Sequence, residues 1–191
     1  MRARRWSTGL LVASTLSLLP TGSFTLDGAA SRVTFFVNDN RGGFAGVAPD
    51  VSAQAEVREQ DGTFSADVMV RVDARSITTG SGLRDGQMRR EFLRTDEFPE
   101  ITFRGTIIPV EPVTQLSFRA DVTGRLTMRG VTREVAFPVR VTALRDSYLV
   151  DGSTTIRMTD FTIPIPRFLI FVAEDPVQVT LKLRFRASDQ K

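Results

Sequence analysis

Hydrophobic and polar side chains alternate without a break along Leu116–Met128. Successive side chains of a β-strand point to opposite faces, so this segment predicts one long strand with one buried and one solvent-exposed face. Arg129 and Gly130 then supply a turn, since Gly adopts a positive φ without steric cost. The alternation resumes along Val135–Val141. The pattern therefore predicts a long antiparallel hairpin with one apolar face, which is typical of a β-barrel or a β-sandwich.

Six further segments show the same alternation and are separated by turn signals: Val33–Val37, Val51–Val57, Phe64–Val72, Ile101–Ile107, Tyr148–Met158 and Val177–Phe185. Eight strands close naturally into a small antiparallel barrel whose interior holds side chains or one ligand. Closure would also remove exposed strand edges. The predicted fold class is therefore all-β, an eight-stranded antiparallel up-and-down barrel, and a β-sandwich is the alternative architecture.

Two segments depart from the β pattern. Ser81–Thr95 has few β-branched residues and many good helix formers, so it predicts one or two short helices, with Thr79 or Ser81 as the N-cap. This helical insertion joins the third strand to the fourth and is expected to cap one mouth of the barrel. The second segment, Thr159–Asp175, is interrupted by prolines, which argues against a central strand at its start.

The first 23 residues are predicted to be a cleaved signal peptide. A basic start is followed by a short apolar run, Gly9–Leu19, and by small residues before Phe24. A run of that length is too short to span a bilayer, which takes about 20 residues, so no stable membrane span is expected after cleavage. We therefore expect a periplasmic or secreted protein whose domain occupies residues 24–191.

The charge balance gives no sign of a nucleic-acid partner. The chain has 25 basic and 22 acidic residues, but three of the arginines lie in the predicted leader, which leaves 22 of each sign. A domain without net charge has no electrostatic footprint for a polyanion. The chain has no cysteine either, so an exported domain would have to be held by packing and hydrogen bonds alone.

The residue types that are missing argue against an enzyme. With no His and no Cys, serine–histidine and cysteine–histidine nucleophilic sites and ordinary zinc sites are excluded. An isomerase or cyclase of lipid-like substrates would need an inward-facing carboxylate, whereas alternation puts these carboxylates on polar faces: Glu56, Asp67, Asp73, Asp121 and Asp151. No cofactor and no metal are expected. The 14 Phe residues favour apolar burial instead.

Six motifs in order along Phe24–Ala187 resemble the bacterial YceI-like family. They are F-T-L-D…S-R-V-T-F-F-V from Phe24, G-F-A-G-V from Gly43, R-D-G-Q-M from Arg84, F-L-R-T-D-E-F-P-E-I-T-F from Phe92, G-R-L-T-M-R-G-V-T-R-E-V from Gly124, and R-M-T-D-F-T-I from Arg157 followed by the V-Q-V-T-L ending. The Gly124 motif is the most specific. Such proteins commonly carry a His after the first strand, where this chain has Asn38-Asp39-Asn40, so chemistry that depends on that His is not implied.

The resemblance implies a periplasmic, lipocalin-like barrel that binds a long polyisoprenoid-type chain, and it allows a homodimer. On this basis we predict that the inward strand faces bind the ligand through Phe35, Phe64, Phe103, Phe118, Phe137, Ile156 and Phe185. Small residues on the same faces, Ala66, Gly105, Ala120, Gly124 and Gly152, are interpreted as leaving room for it. The alternative is a structural or interaction barrel with a solid core.

Three residues of the helical insertion complete the predicted site. Met88 and Phe92 are expected to line the mouth, or else simply to pack the insertion onto the rim. Arg84 is a candidate contact for a ligand head group because a guanidinium suits a phosphate geometrically. The alternative for Arg84 and its neighbour Asp85 is a structural salt bridge or turn cap.

Overall fold

The computed structural model describes residues 19–168 and 171–188. Within them, one short α-helix, α1 (Gly82–Gln87), continues directly into a π-helical turn, Met88–Leu93, and we call Gly82–Leu93 the lid. The strands are β1 (Gly22–Leu26), β2 (Arg32–Asp39), β3 (Phe44–Ala48), β4 (Val51–Gln60), β5 (Thr63–Asp73), β6 (Glu100–Pro109), β7 (Ser117–Met128), β8 (Val131–Ala143), β9 (Ser147–Arg157), β10 (Arg167–Phe168) and β11 (Phe171–Ala187).

The strands close into an antiparallel barrel in the order β1-β4-β5-β6-β7-β8-β9-β11, with β11 pairing back to β1. β1 and β2 follow one another along the same edge of β11. β3 and β4 likewise follow one another and form the next wall, in which β3 pairs with β2 and β4 pairs with β1. The barrel thus has eight walls, two of which are broken into two strands each. This confirms the predicted eight-stranded barrel and excludes the sandwich.

The predicted hairpin is present as β7 and β8, which pair from Ser117↔Thr142 to Met128↔Val131. Arg129 and Gly130 both have positive φ, 51° and 73°, as a two-residue turn that matches the strand twist requires. The short strands β1, β3 and β10 were not predicted. β1 and β3 are five residues each and have no long alternation of their own, because each is half of a broken wall.

The predicted helical insertion is confirmed. α1 begins after Ser81, although the Ser81 side chain makes no capping hydrogen bond, and the π-helical turn ends at Arg94, which has left-handed φ and ψ. The proline-rich segment also behaves as expected, with a single 3-10 turn, Thr159–Phe161, and no strand before β10. No helix within the described ranges is long and apolar enough to cross a membrane.

Two apolar clusters lie towards the two ends of the barrel. The larger one lies at the end where β1 starts and includes Phe24, whose ring meets Tyr148 edge-on with centroids 5.0 Å apart. The Tyr148 hydroxyl donates a 2.5 Å hydrogen bond to the Pro20 carbonyl, and burial raises the pKa of Tyr148. The smaller cluster lies at the other end, where Phe161 and Ile163 pack with Val37 and Met158. We call these the closed end and the mouth.

The predicted leader overlaps the described residues at its last five positions. Leu19 is 3% exposed in the closed-end cluster, Pro20 accepts the Tyr148 hydrogen bond, and the Ser23 hydroxyl donates to Glu56 at 2.6 Å. Cleavage before Phe24, as predicted, would remove these contacts. Residues 1–18 of the leader lie outside the described residues.

The inward-facing small residues are not where the empty space lies, which differs from the interpretation made above. Gly105 and Gly124 pair directly, and the Phe103 ring lies over both: a Cβ at Gly105 would be 2.6 Å from Phe103 Cζ and 2.3 Å from the Thr123 carbonyl oxygen. A Cβ at Gly152 would be 2.7 Å from Val139 Cγ1. Neither these glycines nor Ala66 and Ala120 line the main cavity. The glycines instead provide flat surfaces on which larger side chains lie.

Gly105→Ala is expected to destabilise the barrel by about 1–3 kcal/mol, because its methyl group would collide with the backbone of β7 and with the Phe103 ring. The free energy of unfolding by urea measures the effect. Gly28→Ala is the matched control, since a Cβ there has no neighbour within 4 Å, and it should leave stability unchanged or slightly raised. Equal stability of the two variants would contradict the close packing of Phe103 on the glycine pair.

Candidate ligand-binding cavity

The barrel interior holds an apolar cavity of about 850 Å³ that opens at the mouth. Its wall is built from the inward-facing positions that strand alternation predicts, such as Val33, Phe35 and Val37 on β2 and Val177, Val179 and Leu181 on β11. The room comes from the circumference of an eight-walled barrel, whose interior is just wide enough for side chains or one small ligand. Here the side chains do not fill it.

Polarity in this cavity is confined to one end. Every polar side chain of the lining except one comes from residues 39–41 or 81–91, at the mouth. The exception is Thr154, on β9. Among the described residues, the deep wall therefore offers a single side-chain hydroxyl to a bound molecule. Such a wall can hold a long apolar chain, and it can orient a polar group only at the mouth.

The main cavity brings together eight of the ten predicted ligand-binding residues: Phe35, Arg84, Met88, Phe92, Phe103, Phe137, Ile156 and Phe185. Phe64 and Phe118 do not reach it. They line a second cavity of about 50 Å³ at the closed end, together with Leu19, Phe24 and Tyr148. Alternation correctly places all these side chains inward, but it carries no information on height along the barrel axis, and height separates the two groups.

Several lining residues were missed because they lie outside the strands that alternation predicts. Phe161 and Ile163 follow β9 and are 1% and 5% exposed, and Arg41 and Phe44 belong to the β2–β3 turn and the strand after it. The sequence signals for them were the density of aromatic and aliphatic residues in Thr159–Asp175, the R-M-T-D-F-T-I motif from Arg157 and the G-F-A-G-V motif from Gly43. None of these signals indicates which side chains turn towards the mouth.

A buried carboxylate attaches the lid to the barrel. Asp85 is 5% exposed and accepts hydrogen bonds from Thr78 Oγ1 at 2.6 Å, from Thr79 N at 2.8 Å and from Thr79 Oγ1 at 2.5 Å. The backbone of Thr78 is in turn bonded in both directions to Val47 on β3. Burial by itself would raise the pKa of Asp85, but the hydrogen bonds from Thr78 and Thr79 outweigh it and hold the pKa below its usual value.

Arg84 is tied into the same network at the edge of the cavity. Its Nε donates to Thr79 Oγ1 at 2.8 Å, one of its terminal nitrogens donates to the Thr79 carbonyl at 3.3 Å, and its guanidinium lies 4.2 Å above the centre of the Phe44 ring. These contacts show the structural role that was considered for Arg84 and Asp85, although the two residues bind through Thr79 and not to each other. Arg84 also lines the mouth, so its guanidinium is pre-positioned there.

Two further carboxylates shape the rim. Asp39 Oδ1 accepts from the backbone N–H groups of Gly43 and Arg41, and these bonds lower the pKa of Asp39. Asp175 accepts from the backbone and the hydroxyl of Thr159, which lower its pKa although burial opposes them. Rim carboxylates with lowered pKa values stay ionised and serve as caps for turns. Across the described part of the chain, no group of three or more Asp or Glu side chains is arranged to hold a metal ion.

A closed antiparallel barrel of eight walls, with an apolar interior cavity and a polar mouth, is the architecture of lipocalin-like barrels. The family model described as "YceI-like domain" matches residues 24–185. The chain therefore belongs to the YceI-like family, and this confirms the resemblance seen in the sequence.

Individual relatives agree with this assignment. A UPF0312 protein of Vibrio parahaemolyticus is 27% identical over 86% of this chain and 90% of its own length. Protein YceI of Salmonella arizonae is 32% identical over 44% of this chain and 46% of its own. Among solved structures, Burkholderia cenocepacia BcnA is 21% identical with a TM-score of 0.71, covering 83% of this chain and 98% of its own. A polyisoprenoid-binding domain from Saccharophagus degradans is 17% identical with a TM-score of 0.69, covering 88% and 100%.

Asp85→Asn is expected to lower stability by about 1.5–3 kcal/mol at neutral pH, because an amide cannot accept all three hydrogen bonds as an ionised carboxylate does. The folded-state pKa lies below the ordinary value of 3.8, so the stabilisation is fully present above about pH 4 and is lost as the pH falls through the folded-state pKa. The melting temperatures of Asp85→Asn and of the unsubstituted protein, measured from pH 7 down to pH 2, should therefore converge as the pH falls.

Asp96→Asn serves as the control for this series, since Asp96 is an exposed carboxylate just after the lid. Its melting temperature should equal that of the unsubstituted protein at every pH. A deficit of Asp85→Asn that stays constant down to pH 2 would show that the carboxylate charge does not hold the lid.

Proposed function

We propose that this protein binds one long isoprenoid-type lipid chain in its barrel, in the periplasm or outside the cell, and so stores, carries or protects it. The observation that supports this proposal is the cavity of about 850 Å³, in whose deep wall Thr154 is the one polar side chain among the described residues. The volume lies in the upper part of the range usual for ligand pockets, roughly 300–1,000 Å³. The Saccharophagus degradans neighbour, described as a polyisoprenoid-binding domain, supports the same class of ligand.

Apolar burial is sufficient to drive the binding. Each buried methylene contributes about 0.8 kcal/mol, so a chain of more than a dozen carbons needs no specific hydrogen bond to bind tightly. The chain enters with its tail towards the closed end, because polar groups of the lining lie at the mouth. A phosphate, carboxylate or quinone head group would then lie beside Arg84, whose guanidinium is already held by Thr79 and Phe44.

The cavity favours a carrier over the two alternatives. A solid-core structural barrel would fill its interior at the density of other protein cores, and this interior is empty over hundreds of Å³. An acid–base enzyme would need a carboxylate in the cavity, and among the described residues the carboxylates that line it are Asp39 and Glu91, both at the mouth. Asp39 is occupied with the Gly43 and Arg41 backbone. The predicted leader supports export of the protein. A homodimer, which the family resemblance allows, stays a prediction.

Protein purified without detergent is expected to carry a lipid of one chain class. Native mass spectrometry should show a peak heavier than the polypeptide, and organic extraction should return it to the polypeptide mass and release the lipid for identification. After extraction, a fluorescent polyene fatty acid should bind with a stoichiometry of one. Empty protein that also fails to take up the polyene would overturn the proposed function.

Val179→Phe is expected to lower polyene affinity at least about tenfold, because Val179 lines the cavity and a phenyl ring there occupies space that the ligand needs. Thr180→Phe is the matched control. Thr180 is the next residue of β11, is exposed and faces away from the cavity, so its substitution should leave affinity unchanged. Fluorescence titration measures both. Equal affinities for the two variants would place binding on the outside of the barrel.

A further inference from the structure

The main cavity ends on a floor that separates it from the small cavity at the closed end. Three side chains border both cavities: Val68, Ile107 and Phe185. We propose that this floor sets the length of the ligand chain that the barrel holds. This proposal rests on the proposed function. It goes further by naming the residues that select among isoprenoid chains and the chain length that they select.

The floor spans the barrel from opposite walls. Ile107 is on β6 and Phe185 is on β11, and in the closed order of the sheet these strands are four places apart in either direction. Val68 is on β5, directly beside β6, and its pairing partner there is Gly105. Phe185 is 2% exposed and Val68 is 7% exposed, so both are held by packing. Side chains that reach inward from opposite walls of a barrel, and that line the space on both sides, form a partition across it.

The space below the floor does not lengthen the site. It measures about 50 Å³, against about 850 Å³ above. Buried Phe24 and Tyr148 border it, at the end of the barrel where β1 begins. A void of this size has room for one or two carbon-sized groups at about 30 Å³ each. A chain that reaches the floor therefore has no further space to enter.

The capacity above the floor corresponds to a definite chain length. At about 30 Å³ for each water-sized group, 850 Å³ holds about 28 carbon atoms, which is five to six isoprene units. Each additional unit up to that length gains apolar burial. Units beyond it stay outside the mouth in water and gain none. Affinity should therefore rise with chain length and reach a plateau at five to six units.

Opening the floor should move this plateau by a predictable amount. Ile107→Ala removes three carbon atoms, about 90 Å³ at the same conversion, and joins that space to the 50 Å³ cavity below. The total is close to the volume of the five carbons of one isoprene unit. The plateau should shift up by one unit. Val122→Phe should shift the plateau down by one unit. Val122, on β7, is the pairing partner of Ile107 and lines the main cavity but not the lower one, so a phenyl ring at this position would project into the main cavity.

The experiment is a displacement series with the extracted protein. Linear prenyl alcohols of three to nine isoprene units compete with the bound fluorescent polyene, and the competition constant is plotted against chain length for the unsubstituted protein, Ile107→Ala and Val122→Phe. Val141→Ala is the matched control, since Val141 lines the lower cavity but not the main one. It enlarges the lower cavity and leaves the floor intact, so its plateau should coincide with that of the unsubstituted protein.

The expected result is a plateau that moves by one unit in opposite directions for Ile107→Ala and Val122→Phe. The first alcohol beyond the original plateau should gain at least about tenfold in affinity for Ile107→Ala. Melting curves confirm that each variant is folded, and because Val122→Phe fills space instead of emptying it, one of the two remains informative if the other unfolds. Affinity that keeps rising to nine units, or a plateau that neither variant moves, would refute the floor as a length limit. Failure of every alcohol and of the polyene to bind would instead refute the proposed function.

Discussion

Closure of the backbone hydrogen-bond ladder is the constraint on which the rest of this structure depends. A barrel with about 850 Å³ of empty interior lacks the packed centre that stabilises most domains of its size, and it has no disulfide, because the chain has no cysteine. The ladder supplies what packing does not. β11 closes it by pairing with β9 along one edge and with β2 and then β1 along the other. This ring pairs the strand edges at which unfolding or aggregation could begin, except along β3, whose outer edge is bonded at Val47 to the Thr78 backbone.

The packed side chains that stabilise the barrel and the cavity lie at different heights along the barrel axis. The closed end is packed, with Phe24 and Tyr148 at its centre, and the middle is open. At the mouth, ionised carboxylates hold turns in place: Asp39 and Asp175 accept hydrogen bonds from neighbouring turns, and Asp85, in the lid, accepts them from the segment before the lid. These polar contacts lie around the cavity and not across it. The protein can therefore keep its entrance rigid without placing a charge where an apolar chain would lie.

Much of the fold could be predicted from the sequence, because strand alternation is a local signal. The Leu116–Val141 pattern became the β7–β8 hairpin with its turn at Arg129 and Gly130, and the eight-walled barrel followed from counting such segments. The site was predicted only in part. Alternation shows that Phe64 and Phe103 both point inward, but their heights depend on the register between strands, which no local pattern records. The role of Gly105 was misjudged for a related reason: its empty position is filled by the ring of Phe103, two residues earlier in the same strand.

The hydroxyl of Thr154, the one polar side chain among the described residues of the deep wall, bears on the rate at which the proposed ligand exchanges rather than on its affinity. A chain lying against the deep wall breaks almost no directional bond when it slides or rotates about its long axis, so its passage through the barrel is smooth. Resistance to exchange is then concentrated at the entrance, where Arg84 and Asp85 are both fastened to Thr79. For the ligand that we propose, the wall would determine how much is bound at equilibrium, while a few hydrogen bonds beside the lid would determine how fast it is released.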